Sequence, residues 1–175
     1  MKINPQKTFD NFNVKPSNKF AYAAAKAVVT NLKDKCVNYN PLFIYGKENV
    51  GKTHLLNAIY NEIKKEQPDI KIVYITAEEF INEYSSCITE KSLDELRKKY
   101  SDTTDVLLID DIQFVADKRA LQNELLNIID SFIKKQKILV ISANNRPNEI
   151  TGITKCLQDR FECGLITDIV LPEKE

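Results

Sequence analysis

The sequence predicts an α/β fold, in which a parallel β-sheet is covered by helices on both faces. Short apolar runs alternate along the chain with longer segments of helical periodicity. The run 106–109 is apolar throughout, which is typical of a strand buried on both faces of a parallel sheet. With 175 residues, 43% of them hydrophobic and 29% charged, the chain has the size and composition of one globular domain.

Five apolar segments are the predicted strands. They span residues 42–45, 70–75, 106–109, 138–141 and 165–171. The intervening residues carry the predicted helices. These are a small-residue helix capped by Ser17, a helix after residue 53, a helical region that starts at a capping box of Thr76 and Glu79, a helix over about 92–100, and an amphipathic helix over 118–135. Residues 1–16 are predicted to form an extended N-terminal arm laid on this body.

Residues 46–53 fit the pattern Gly-x-x-x-x-Gly-Lys-Thr, the phosphate-binding loop of nucleoside-triphosphate-binding proteins. Coincidence would produce the bare pattern in roughly one chain in a hundred of this length, but a predicted strand precedes it and a predicted helix follows. The helix N-terminus offers unpaired N–H groups to phosphates, and Gly51 lets the backbone approach them. Lys52 would contact the β- and γ-phosphates, and Thr53 would ligate magnesium. The predicted nucleotide-binding residues of this segment are Gly46, Asn49, Val50, Gly51, Lys52, Thr53 and His54.

Two further polar groups follow predicted strands and would meet the phosphate loop at the same sheet edge. The third strand ends in Asp110 and Asp111, as in the Walker-B arrangement. Asp110 is predicted to hold Mg²⁺, and Asp111 to polarise the attacking water. Asn144 follows the fourth strand and is predicted to orient that water. The alternatives are that the two acids simply begin a loop and that Asn144 belongs to an ordinary turn.

Composition excludes several classes of protein. Lys plus Arg equals Asp plus Glu at 25 each, which argues against a strongly basic nucleic-acid-binding domain but leaves room for a local basic strip. No apolar stretch approaches ~18 residues, and the N-terminus has no signal-peptide core, so a cytoplasmic protein without membrane contact is expected. The four cysteines form no Cys-x-x-Cys pair, and His54 has no second ligand at metal spacing, so a zinc site is not expected.

Motifs along nearly the whole chain carry a family resemblance. They are 8–12 (Thr-Phe-Asp-Asn-Phe), 17–21 (Ser-Asn-Lys-Phe-Ala), 39–46 (Tyr-Asn-Pro-Leu-Phe-Ile-Tyr-Gly), 51–56 (Gly-Lys-Thr-His-Leu-Leu), 78–80 (Glu-Glu-Phe), 107–114 (Leu-Leu-Ile-Asp-Asp-Ile-Gln-Phe) and 160–169 (Arg-Phe-Glu-Cys-Gly-Leu-Ile-Thr-Asp-Ile). In this order they resemble the ATPase domain of the bacterial DnaA replication-initiator family, within the AAA+ superfamily. The run Leu-Leu-Ile-Asp-Asp-Ile-Gln is close to diagnostic for this branch.

The resemblance implies a P-loop NTPase of the AAA+ αβ-subdomain type, with sheet order 5-1-4-3-2. It implies ATP or ADP with Mg²⁺, and adenine contacts from Val14 and Asn18. Residues 76–104 would be the family's initiator-specific helical insertion. The resemblance also implies self-assembly into oligomers or filaments, in which Arg160 reaches a neighbouring subunit's γ-phosphate. Single-stranded DNA, including origin DNA, would contact Lys118 and Arg119, and the replicative helicase or initiator regulators are further expected partners.

The chain departs from the family pattern in four places. Lys47, Glu48 and Asn49 stand where the phosphate loop is usually glycine-rich, although Asn tolerates a left-handed backbone. Cys156 occupies the first of two arginine positions, of which Arg160 is the second. After Lys118, the next expected basic and hydroxyl positions read Ala-Leu. The chain stops at residue 175, where the family continues into a helical lid and a helix-turn-helix domain, so either an excised fragment or a minimal relative is expected.

These departures leave two functions open. The first is the ATP-binding module of a replication initiator, which hydrolyses ATP slowly. The second is a nucleotide-dependent regulator or helicase-loader-like partner with little ATPase activity, which Cys156 and the altered loop favour. A P-loop small-molecule kinase is disfavoured because the chain lacks an arginine-rich lid.

Overall fold

A computed structural model describes residues 3–33 and 39–170 of the chain. Its centre is a five-stranded, entirely parallel sheet in the order β2-β3-β4-β1-β5. The strands are β1 (Leu42–Tyr45), β2 (Ile72–Thr76), β3 (Val106–Asp110), β4 (Ile138–Ala143) and β5 (Leu165–Asp168). This is the predicted order 5-1-4-3-2 read from the opposite edge. The fifth strand ends three residues before its predicted end at 171, a residue outside those described.

Helices cover both faces of the sheet. They are α1 (Lys19–Lys33), α2 (Lys52–Glu66), α3 (Ala77–Glu90), α4 (Leu93–Arg97), α5 (Arg119–Lys134) and α6 (Lys155–Glu162). The capping box predicted for α3 is confirmed, because the Thr76 hydroxyl accepts from the Glu79 N–H at 3.1 Å and the Glu79 carboxylate accepts from the Thr76 N–H at 3.1 Å. The prediction of Ser17 as the N-cap of α1 is wrong, since α1 starts two residues later, after a turn over residues 16–18.

Two hydrophobic layers form the core, one on each face of the sheet. Neighbouring residues of a strand point to opposite faces, so Phe43 joins the layer under α3, α5 and α6, whereas Ile44 joins the layer under α1 and α2. Both side chains are fully buried. The strands therefore read as continuous apolar runs because neither face of the sheet meets water.

The N-terminal arm lies on the second layer, as predicted, but it is folded into turns rather than extended. Phe9 and Phe12 are buried in that layer. The Asn4 N–H donates to the Asn57 side chain at 2.8 Å, and the Asn61 amide donates to the carbonyls of Asn4 and Lys7, both at 2.9 Å. The arm is therefore bound along α2, the helix that follows the phosphate loop.

The segment between β2 and β3 holds α3, α4 and a π-helix over Lys98–Thr103. The helix predicted over about 92–100 is thus divided between α4 and the π-helix. Arg97 donates to both carboxylate oxygens of the buried Glu124 on α5, at 2.8 and 2.9 Å. This bidentate pair fixes the segment on the body. That residues 76–104 are an initiator-specific insertion stays a prediction.

The parallel arrangement sets the position of the functional residues. Tyr45 pairs with Ala143 and Ile109 with Ile141, so β1, β3 and β4 end at one edge of the sheet. The residues that follow these strands therefore meet there. Within the described ranges, none of the helices combines the length and apolar character needed to cross a membrane.

Candidate nucleotide-binding site

A cavity of about 500 Å³ opens at the edge where β1, β3 and β4 end. It lies between the phosphate loop on one side and the segments after β3 and β4 on the other. Its lining residues are Lys7, Glu48, Asn49, Gly51, Lys52, Thr53, His54, Asp111, Gln113, Phe114 and Asn144. The structure thus brings the loop, the second acid and the amide together, as predicted from three separate parts of the sequence.

The backbone of the phosphate loop explains its residue types. Gly51 has φ +111°, and a Cβ there would lie 3.0 Å from the Phe12 ring. Asn49 has φ 60°, the left-handed conformation that Asn tolerates. A Cβ at Gly46 would lie 2.3 Å from the Ile169 carbonyl oxygen. Gly46 and Val50 shape the loop without lining the cavity.

The start of α2 has no side-chain cap. Its N-cap is Gly51, which has no side chain with which to accept from the first N–H groups. The first N–H groups of a helix lack intrahelical partners, and the helix dipole favours an anion at this end. Because Lys52 and Thr53 of the first turn line the cavity, this end of the cavity is suited to phosphate.

Lys52 is buried in the loop and satisfied there. Its ammonium donates to the carbonyl oxygens of Gly46 at 2.6 Å and Lys47 at 2.8 Å, and to Asn144 Oδ1 at 3.0 Å. Burial lowers the pKa of Lys52, and the nearby charges of Asp111, Asp110 and Glu48 oppose that shift. All three acceptors of the Lys52 ammonium are neutral oxygens. A phosphate that enters the cavity would therefore offer this ammonium a stronger, charged partner.

The two acids after β3 have different surroundings. Asp110 is buried and does not line the cavity; it accepts from the Tyr74 hydroxyl at 2.8 Å and from the Ser142 hydroxyl. Asp111 lines the cavity in a left-handed conformation, with φ 58°, and its N–H donates to Ser142 Oγ at 2.9 Å. Burial raises the pKa of Asp111, and a hydrogen bond from Gln113 opposes this.

The donor set fits a magnesium ion. Mg²⁺ prefers oxygen ligands and is usually held by one or two carboxylates together with substrate phosphates. The Thr53 hydroxyl and the Asp111 carboxylate line the same cavity. Asp110 was the predicted metal residue, but both of its oxygens already accept hydrogen bonds from hydroxyls. Its role as a metal residue stays a prediction, and Asp111 is the acid that the structure brings to the cavity.

Asn144 belongs to a hydrogen-bonded chain that crosses the site. Its Oδ1 accepts from Lys52, and its backbone N–H donates to Gln113 Oε1 at 3.2 Å. Gln113 Nε2 in turn donates to Asp111 Oδ1 at 3.2 Å. Gln113, Ser142 and Tyr74 are site residues that sequence reasoning missed. Gln113 stands two positions after the acid pair, but only the juxtaposition of β3 and β4 reveals its partners.

The N-terminal arm contributes to the wall of the cavity. His54 Nε2 lies 2.8 Å from the Thr8 carbonyl oxygen, and because a carbonyl only accepts, this nitrogen carries the proton. The His54 ring also packs edge-on against Phe12, with 5.1 Å between ring centroids. His54 therefore holds the arm, and Lys7 of the arm lines the cavity. No signal in the sequence indicated Lys7.

The two predicted adenine contacts lie outside the cavity. Val14 is exposed on the arm. Asn18 is buried, and its amide is used within the arm, accepting from the Lys15 N–H at 2.8 Å and donating to the Asn13 carbonyl at 3.0 Å. A base contact from the Asn18 side chain would have to replace these bonds. Both contacts stay predictions.

Arg160, Lys118 and Arg119 do not line the cavity. Arg160 lies on α6 and pairs with Asp130 of α5, so it does not act on this chain's own cavity, which is compatible with its predicted action on a neighbour. Lys118 is exposed and donates to the Phe114 carbonyl at 3.2 Å, and Arg119 is exposed at the start of α5. Cys156 is an exposed thiol on α6.

Sequence comparisons find known proteins that match nearly the whole chain. A sequence model described as "Bacterial DnaA ATPAse domain" matches residues 3–168. The chain is 45% identical over 173 residues to the chromosomal replication initiator protein DnaA of Geotalea uraniireducens (strain Rf4), covering 99% of this chain and 38% of that protein. The chain therefore spans about two-fifths of the length of this curated relative.

Solved structures show the same similarity. Domain III of the Thermotoga maritima replication initiation protein DnaA superposes with a TM-score of 0.92 at 39% identity, covering 97% of this chain and 69% of that one. A replication initiator DnaA bound to AMPPCP and single-stranded DNA superposes with a TM-score of 0.90 at 34% identity, covering 97% of this chain and 51% of that one.

Proposed function

The chain belongs to the bacterial DnaA ATPase domain family, and on that premise we propose that it binds ATP or ADP with Mg²⁺ and hydrolyses ATP slowly, as a module of a replication initiator. One observation carries the proposal. A single cavity is lined by Lys52 and Thr53 of the phosphate loop, by Asp111 after β3 and by Asn144 after β4. These are a phosphate-binding cation, a hydroxyl, an acid and an amide, arranged around a space of nucleotide dimensions.

Phosphate binding would use groups that are already in place. The uncapped N-terminus of α2 supplies N–H groups, and Lys52 exchanges its neutral carbonyl acceptors for phosphate oxygens, which are stronger partners for an ammonium. Thr53 and Asp111 would hold magnesium, and the buried Asp110 next to Asp111 would add negative charge to the site. Bound magnesium would neutralise phosphate charge. The exposed Glu48 at the loop adds a negative charge near the phosphates, which weakens binding relative to a glycine at this position.

Hydrolysis would depend on Asp111 and Asn144. Asp111 accepts a hydrogen bond from the attacking water, and the Asn144 amide orients that water once Lys52 has moved to the phosphates. A supplied arginine can add ~10³-fold or more to such a rate. Here Cys156 stands at one of the two arginine positions, and only Arg160 could act on a neighbouring subunit. We therefore expect slow turnover.

The proposal also includes assembly with other copies of the chain and binding to single-stranded DNA. The relative that superposes at 34% identity is bound to single-stranded DNA. Lys118 and Arg119 are exposed at the start of α5, where they would contact DNA phosphates. We infer oligomers or filaments on origin DNA in the cytoplasm, with the replicative helicase or initiator regulators as further partners. Binding to a labelled single strand that requires ATP and weakens with salt and in Lys118→Ala would support this.

Replacement of Lys52 tests the nucleotide site. We expect Lys52→Ala to weaken ATP binding by about 100-fold or more, because the loop loses its charge-assisted phosphate contact. Lys65→Ala is the matched control, since Lys65 is exposed on the same helix. Equilibrium titration with a fluorescent ATP analogue would measure binding, and phosphate release would measure hydrolysis. Equal ATP affinity in wild type and Lys52→Ala would contradict the proposal.

The second candidate function is a nucleotide-dependent regulator with little ATPase activity, and Cys156 is the observation that favours it. The same measurements separate the two functions. Wild type that binds ATP but releases no phosphate, even at high protein concentration, would reject the ATPase and support the regulator.

A further inference from the structure

The segment after β3 directs one side chain back to the sheet edge. Asp111 has φ 58°, and a 3₁₀ turn follows over Ile112–Val115, in which the Phe114 N–H donates to the Asp111 carbonyl at 3.2 Å. Ile112 and Val115 are fully buried and anchor this turn in the core. Gln113 stands between the anchors, half-buried, and lines the cavity.

The Gln113 amide connects the two polar groups of the proposed reaction. Its Nε2 lies 3.2 Å from Asp111 Oδ1, and its Oε1 lies 3.2 Å from the Asn144 backbone nitrogen. Each partner admits only one end of the amide, because an ionised carboxylate accepts and a backbone N–H donates. The orientation of the amide is therefore fixed by the chemistry of its two partners.

A continuous chain of hydrogen bonds results. It runs from Lys52 through the side chain of Asn144, then from the Asn144 backbone through Gln113 to Asp111. If Lys52 moved to phosphate, the Asn144 side chain would lose that bond. Gln113 would still join the Asn144 backbone to the Asp111 carboxylate and so keep their separation.

We propose that Gln113 is a positioning residue for ATP hydrolysis, which holds the Asp111 carboxylate at a fixed distance from Asn144. The inference rests on the proposed hydrolysis and assigns Gln113 a role that acts through Asp111 and Asn144. Ser142 supports the same junction, since its hydroxyl accepts the Asp111 N–H. Ser142 fixes the backbone, whereas Gln113 fixes the carboxylate.

The test compares binding with turnover in three variants. Gln113→Ala removes both bonds. Gln113→Glu keeps an acceptor for the Asn144 N–H but places a second carboxylate against Asp111. Gln158→Ala is the control, because Gln158 is half-buried on α6 and does not line the cavity. ATP affinity, kcat at saturating ATP and hydrogen exchange of the Asn144 backbone N–H are measured for each variant.

The expected result is a split between rate and affinity. In Gln113→Ala we expect kcat to fall by about 100-fold while ATP affinity stays within about two-fold of wild type. The backbone N–H of Asn144 should exchange faster in Gln113→Ala and stay protected in Gln113→Glu. The kcat of Gln113→Glu should nevertheless stay as low as that of Gln113→Ala. Gln158→Ala should match wild type in all three measurements.

Two results would overturn the proposal, and they have separate meanings. If wild type hydrolyses ATP and Gln113→Ala has the same kcat, or loses affinity in proportion to kcat, Gln113 has no positioning role although the proposed hydrolysis stands. If wild type binds ATP without any turnover, the proposed hydrolysis fails and the role of Gln113 in it fails as well.

Discussion

At the scale of single residues, the phosphate loop depends on backbone conformations that side chains restrict. Gly51 has φ +111°, a conformation that residues with a Cβ rarely adopt, and the Phe12 ring occupies the space beside it. Asn49 has φ 60°, the left-handed conformation that Asn adopts more readily than most residues. The loop thus combines one position that requires glycine with another that tolerates asparagine.

We predict that a substitution at the first position lowers stability and that one at the second leaves it nearly unchanged. Gly51→Ala should lower the free energy of unfolding by about 1–3 kcal/mol, because its backbone becomes strained and its Cβ meets Phe12. It should also weaken ATP binding. Asn49→Gly should leave stability within about 1 kcal/mol of wild type, since glycine adopts the same φ without strain. Urea denaturation of the nucleotide-free proteins measures the stability of both variants. Equal stability of Gly51→Ala and wild type would show that the loop adapts its backbone.

Sequence reasoning predicted that the phosphate loop, Asp111 and Asn144 meet at one sheet edge, but it did not predict the hydrogen-bond partners that neighbouring strands supply. Gly51, Lys52 and Thr53 follow from a motif of eight consecutive residues. The partners of Asp110 do not, because Tyr74 is on β2 and Ser142 on β4, and only the sheet places their hydroxyls on one carboxylate. The amide bonds of Asn18 within the arm were equally inaccessible to sequence reasoning.

At the scale of elements, apolar patterns located all five strands to within two or three residues at each end. The π-helix over Lys98–Thr103 was not predicted, because its sequence is polar and its periodicity over so few residues does not differ from that of an α-helix. It is held from outside, since Lys137 donates to the carbonyls of Ser101, Asp102 and Thr104 at 2.7–3.0 Å. Such tertiary capping leaves no local pattern.

The attachment of α5 to the site gives a prediction at this scale. Gln122 is fully buried; its amide donates to the carbonyls of Val115 at 2.9 Å and Gly152 at 2.7 Å, and accepts from the Thr154 N–H at 2.8 Å. Gln122→Leu should lower the free energy of unfolding by about 2–3 kcal/mol, because the Thr154 N–H loses its buried acceptor and the Val115 and Gly152 carbonyls each lose one of two donors.

Denaturant unfolding with Asn123→Ala as the control checks this expectation. Asn123 is exposed on the same helix, and its replacement should change stability by no more than about 0.5 kcal/mol. Since the 3₁₀ turn that carries Gln113 ends at Val115, Gln122→Leu should also reduce turnover. A Gln122→Leu variant as stable as wild type would mean that the Thr154 N–H finds another acceptor.

At the scale of the whole molecule, the fold places the hydrophobic core on the two faces of the sheet and the polar site residues at one of its edges. Two apolar layers bury the faces of the sheet, while the polar ends of β1, β3 and β4 gather at one edge. The arm closes the other side of the phosphate loop through His54 and Phe12. Arg160, by contrast, lies on α6 against Asp130 and away from this cavity. One chain therefore carries the proposed nucleotide site and, away from it, the arginine that we propose acts on a second chain.

The central claim is that a nucleotide occupies the cavity between the phosphate loop and the ends of β3 and β4. Nuclear magnetic resonance of the isotope-labelled chain, titrated with AMPPCP and Mg²⁺, measures this most directly. We predict saturable shifts of the amides of residues 46–54, Asp111 and Asn144, and no such shifts in Lys52→Ala at the same concentrations. Shifts confined to another face, or none that saturate in wild type, would contradict the account.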